Sequence, residues 1–85
     1  MNIFQNKKRM IGDVINDTIT HVKLCSVTNE DYSVTVTRNQ MYRHHNKELA
    51  QDVFPELSNE QREFIISGIT PDEWNFIFGD KSLNL

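Results

Sequence analysis

The side chains in this chain that are equipped for chemistry are three histidines, one cysteine and a set of carboxylates. His44 and His45 are adjacent, and neighbours on a helix point about 100° apart, so they do not chelate one ion together. His21 and Cys25 fall at i, i+4 in a segment rich in strand formers, where that spacing is too long for an unaided metal site. Cys25 as a nucleophile would need a base and an oxyanion-type glycine turn, and no such turn lies near it; it reads as a small buried hydrophobe. Glu60, Glu63, Asp72 and Glu73 sit where helices begin, which accounts for them through the helix dipole and solubility rather than acid/base chemistry. Gly12, Gly68 and Gly79 are isolated, so no phosphate-cradling loop is present. The expectation is a protein without catalytic, metal or cofactor residues, and not an enzyme.

Two sets of residues remain for binding. Lys7, Lys8, Arg9, Lys23, Arg38, Arg43 and Lys47, with Tyr32 or Tyr42 to stack on bases, are the candidate nucleic-acid contacts. Trp74 is the candidate anchor for a protein partner, because tryptophan is enriched at interface centres; its competing role is the centre of a small helical core.

The elements that must position these residues are legible from capping signals. Ser58-Asn-Glu-Gln61 and Thr70-Pro-Asp-Glu73 have the form of capping boxes, the second with proline at the first helical position, and Gly68 and Gly79 are the stops. Helices are therefore expected over about 59–67 and 71–78, held by packing of Phe64, Ile65, Ile69, Trp74, Ile77 and Phe78. Thr37 is a further cap, for a helix over about 38–45, and Leu49, Ala50, Val53 and Phe54 make the apolar stripe of one over about 47–54 that Pro55 ends.

Upstream, Met10, Ile11, Val14, Ile15, Ile19 and Val22 are spaced nearly as on a helix, but Gly12 and the density of β-branched residues favour strand after about Asp17. The chain then predicts a β-hairpin, strands about 17–28 and 32–37, turned by Asn29-Glu-Asp31. Tyr32, Val34 and Val36 face the helices; Ser33, Thr35 and Thr37 face away. The fold class is α+β, a hairpin packed by three or four short helices. Residues 1–9 are expected to be a loose arm, 10–79 one domain and 80–85 a tail. A hairpin edge exposed in this way invites β-augmentation, by residues 2–5, by a target strand or by a second copy as a homodimer.

Eighty-five residues, 38% hydrophobic and 25% charged, suit one small soluble domain, with no apolar run that would span a membrane and no secretory signal. The lone Cys25 excludes an internal disulfide and fits a reducing cytoplasm. The net charge of −3 hides a division: residues 1–47 carry +3 and residues 48–80 carry −7. Such a division could steer a charged partner, but it is smaller than that of dedicated nucleic-acid binders, and an unevenly solvated surface is the favoured reading.

The pattern Gln51-x-Val-Phe-Pro-x-Leu-Ser58, Arg62-Glu-Phe64, Ser67-Gly-Ile-Thr-Pro-x-Glu-Trp74 and Phe78-Gly79 resembles a group of small phage-encoded accessory proteins, of the nonstructural kind found in microvirus-type phages. The likeness covers residues 32–79. Some members carry Cys-x-x-Cys where this chain has Thr70-Pro-Asp-Glu73, so no zinc-linked role carries over. The resemblance implies an accessory protein made in the cytoplasm of an infected bacterial host and assigns no residue a function. Together with the residue-level reading, it gives a non-enzymatic module that binds a host or phage protein. The alternative is a nucleic-acid-binding accessory of phage replication or packaging, using the basic N-terminal half.

Overall fold

Three strands open the chain and four short helices close it, in a computed structural model that describes residues 7–78. β1 (Arg9–Asp13), β2 (Thr18–Leu24) and β3 (Asp31–Thr37) form an antiparallel sheet in the order β1-β2-β3. The helices are α1 (Arg38–His45), α2 (Ala50–Val53), α3 (Asn59–Ser67) and α4 (Pro71–Phe78). The fold is α+β, as the capping and alternation patterns predict. The expected stop at Gly79, residues 80–85 and the proposed pairing by residues 2–5 lie outside the described residues.

The sheet has one strand more than the sequence suggests. β1 pairs with β2 from Arg9 opposite Val22 to Asp13 opposite Thr18, so Arg9 belongs to a strand and not to a loose arm. The near-helical spacing from Met10 to Ile15 arises because a turn interrupts the alternation. The Asp13 carboxylate closes that turn, accepting from the backbone N–H of Ile15 at 3.0 Å and of Asn16 at 3.1 Å. Asp17 then takes a left-handed φ of 56° to enter β2.

β2 and β3 pair with His21 opposite Val34 and Lys23 opposite Tyr32. By alternation, Ile19, His21 and Lys23 share a face with Val36, Val34 and Tyr32. The helices cover that face, as the pattern of β3 predicts. The core is Val34 and Val36 from the sheet with Met41, Val53, Phe54, Phe64 and Ile65 from the helical side. Tyr32 meets Phe64 edge to face, ring centroids 4.8 Å apart.

The helix starts are built as their sequences dictate. Thr37 and Ser58 each accept from the N3 backbone N–H, and Gln40 and Gln61 reciprocate, two complete capping boxes. Gly68 closes α3 at φ 78°, a conformation that costs a side-chain-bearing residue but not glycine. α2 is a single turn where the sequence predicts a helix over about 47–54. Lys47 sits at φ 69°, reversing the chain after α1 so that Val53 and Phe54 enter the core. Two side chains then fasten this connection: Gln40 donates to the Val53 carbonyl at 2.9 Å, and Arg62 to the carbonyls of Phe54 at 2.9 Å and Leu57 at 2.8 Å.

The last helix departs from expectation most. Phe64 and Ile65 are core, but Ile69 and Trp74 are half-buried and Phe76, Ile77 and Phe78 are exposed. The buried side chain of α4 is a carboxylate, Glu73.

Candidate functional site

Glu73 is held by both layers of the molecule. Its Oε1 accepts from Lys23 Nζ at 2.8 Å and from the Thr70 backbone N–H at 3.0 Å, and its Oε2 accepts from the Ser26 backbone N–H at 2.9 Å. The Thr70 hydroxyl returns the cap, accepting from the Glu73 N–H at 3.2 Å. The box predicted at Thr70-Pro-Asp-Glu73 therefore forms, and its carboxylate also reaches the sheet. Both charged side chains of the pair are shut away from water, Lys23 at 3% exposure and Glu73 at 0%. Burial pushes the Glu73 carboxyl up, but the Lys23 hydrogen bond, the Ser26 and Thr70 amides and the Lys23 charge outweigh it and hold the group below the usual carboxylate range.

Lys23 also donates to the Gly68 carbonyl at 3.0 Å, and Lys8 donates to the Ile65 carbonyl. Two ammonium groups thus serve the negative end of α3, where cations are favoured. Lys7, Lys8 and Lys23 line a cleft of about 280 Å³ with the last turn of α3. Two of these ammonium groups are turned onto carbonyl oxygens, so the cleft is a helix cap and not an anion site. Beside it, Cys25 Sγ lies 3.2 Å from the Thr70 hydroxyl, buried, as its reading as a small hydrophobe requires.

The candidate nucleic-acid contacts do not converge. Lys23 is buried on Glu73, Lys8 on α3, Arg38 pairs with Asp17 at 3.2 Å and Arg43 with Glu48 at 2.9 Å. Lys7, Arg9 and Lys47 keep exposed side chains, and Tyr42 is exposed, but the Tyr32 ring is already taken by Phe64. The basic half of the sequence therefore buries Lys23, turns Lys8 onto a helix end, and pairs Arg38 and Arg43 at the surface.

His21 is fully buried in the core, its Nε2 3.3 Å from Met41 Sδ and its Nδ1 without a hydrogen-bond partner. Burial, with the charges of Lys8 and His44 behind it, lowers its pKa to about 4, so it is neutral near pH 7. His44 packs on Phe54 at 5.7 Å between ring centroids. His21, His44 and Cys25 are thus parts of the packing, and among the described residues no group of three or more His, Cys, Asp or Glu side chains is arranged to hold a metal.

α4 exposes aromatic side chains beside the polar Asp72 and Asn75. Phe76 is 68% exposed, and Trp74 stacks on Phe78 with centroids 4.6 Å apart and planes 30° apart. The indole Nε1 of Trp74 is shielded from water and donates to no acceptor. A cleft of about 320 Å³ beside it is lined by Asn59, Glu60, Glu63, Pro71, Trp74 and Asn75. The result is a cleft walled by Trp74 and bordered by Glu60 and Glu63, with Phe76 exposed on the other flank of a helix whose inward grip is polar.

The buried pair was not legible in the sequence, where Glu73 is accounted for by its cap alone. The available signal is alternation: Lys23 lies between His21 and Cys25 on the strand face that meets the helices, and a lysine there demands a carboxylate. No protein-family model matches the chain, and no curated protein or solved structure matches it. No helix among the described residues is long and apolar enough to cross a membrane.

Proposed function

We propose that this chain is a small, non-enzymatic accessory protein that works by binding another protein, as the resemblance to phage accessory proteins implies, in the cytoplasm of an infected bacterium. The observation that carries this reading is the inversion of α4. Its carboxylate faces in, Phe76 is exposed on one flank, and the half-buried Trp74 stacks with Phe78 on the other. Exposed aromatic residues grouped on one helix are the usual composition of an interface centre. Glu60 and Glu63 line the cleft beside Trp74, so the partner presents an apolar segment flanked by Lys or Arg.

Capture from infected cells with the tagged chain tests the reading, with Phe76→Ser and Trp74→Ala run beside it. Each substitution is expected to lower recovery of a specific host or phage protein at least tenfold while circular dichroism stays unchanged. The single tryptophan then reports binding of the purified partner by its emission. Equal recovery by all three proteins would overturn it. Retention on single-stranded DNA at low salt, falling steeply as salt is added, would return the function to the basic N-terminal half.

A further inference from the structure

We propose that two copies of this chain join through the outer edge of β1, extending the two sheets into one. This contact is separate from the α4 face and does not depend on it. β1 is an edge strand by the sheet order, and all five of its residues are exposed, Met10 at 59% and Ile11 at 53% among them. Among the described residues no strand pairs with its outer side, which leaves a row of backbone donors and acceptors beside two large apolar side chains.

The sequence of β1 fits its own reverse. Antiparallel pairing about a two-fold axis at Ile11 sets Ile11 opposite Ile11, Met10 opposite Gly12 and Arg9 opposite Asp13 of the second copy. The last pairing occurs twice, so each end of the contact matches a guanidinium with a carboxylate. A slip by one residue would put side chains on the wrong face of the sheet, which fixes the register. Arg9, Ile11 and Asp13 lie on the face away from the helices, in line with Val22, Thr20 and Thr18 of β2. Met10 and Gly12 lie on the helical face, where the Arg38 guanidinium of the same copy covers Gly12.

The opposite edge offers no such match. β3 reversed on itself about Val34 sets Asp31 against Thr37 and Ser33 against Thr35, with no opposite charges brought together. The antiparallel two-fold stands perpendicular to the sheet and keeps both helical layers on one side.

Light scattering on the purified full chain across a concentration series tests the proposal. The wild type is expected to approach twice its monomer mass as concentration rises, and Ile11→Lys to stay monomeric with unchanged circular dichroism. Ile11→Cys, exposed to oxidised glutathione, is expected to form a disulfide-linked dimer, because its twin lies directly opposite; Thr20→Cys, in the central strand, is expected not to. Should Ile11→Lys fail to fold, the cross-link decides. A wild type that stays monomeric throughout, or a dimer that Ile11→Cys cannot lock, would overturn the proposal. A dimer abolished by Phe76→Ser would overturn it as well, by moving the self-contact to α4.

Discussion

Lys23 and Glu73 are 50 residues apart in sequence and 2.8 Å apart in space, and their energetics follow from where they sit. Removing one member of a buried pair strands the other charge in a medium that solvates it poorly, at a cost of roughly 3–5 kcal/mol; removing both is far cheaper. Lys23→Met and Glu73→Gln are each expected to lower the unfolding free energy by about that amount. The double variant should be more stable than either single one, as denaturant titration would show. His21 gives a second prediction at this scale. Its folded pKa of about 4 lies below the ordinary 6.5, so between those values the unfolded chain binds a proton that the native state refuses. Stability is therefore full above about pH 6.5 and falls as pH drops towards 4, by about 3 kcal/mol at one pKa unit per ~1.4 kcal/mol. Replacing His21 with Leu should flatten that limb of a plot of thermal midpoint against pH. The depressed Glu73 pKa adds a loss of the same sign at still lower pH, below the ordinary carboxylate value.

At the scale of elements, local chemistry was the legible part. Thr37, Ser58 and Thr70 start their helices, Gly68 ends one, and Val34 and Val36 face the core, all in agreement with pattern and cap. Gly68→Ala is expected to destabilise the protein by about 1 kcal/mol, because the φ of 78° suits glycine and not alanine. A lowered thermal midpoint with an unchanged fold would be the readout. The failures have one cause each. β1 escapes sequence reading because Met10 and Ile11 read as a helical stripe and its pairing depends on β2, with Val22 opposite Arg9 and Thr18 opposite Asp13. α2 shrank because Lys47 reverses the chain where the apolar stripe alone suggests a longer helix. Spacing alone puts Trp74, Ile77 and Phe78 in the packing, because periodicity shows that a helix has an apolar side but not how deeply that side is buried.

For the whole molecule, opposite charges in the two halves of the sequence read as a bipolar surface or a nucleic-acid footprint. Folding changes that picture, since Lys23 meets Glu73 across layers, Lys8 caps α3 and Arg38 and Arg43 are paired. Formal charge along a chain does not survive as surface charge when ion pairs form between distant segments. What survives is the acidic border around Trp74 and the exposed Phe76 of α4. α4 is fixed to the sheet through the Glu73 carboxylate, and the exposed Phe76 adds little to folding. Equilibrium unfolding of Phe76→Ser beside Glu73→Ala measures this directly. Phe76→Ser is expected to change stability by no more than about 0.5 kcal/mol, and Glu73→Ala to lower it by roughly 3 kcal/mol or more. The opposite order, with Phe76→Ser unfolding the protein and Glu73→Ala tolerated, would contradict it.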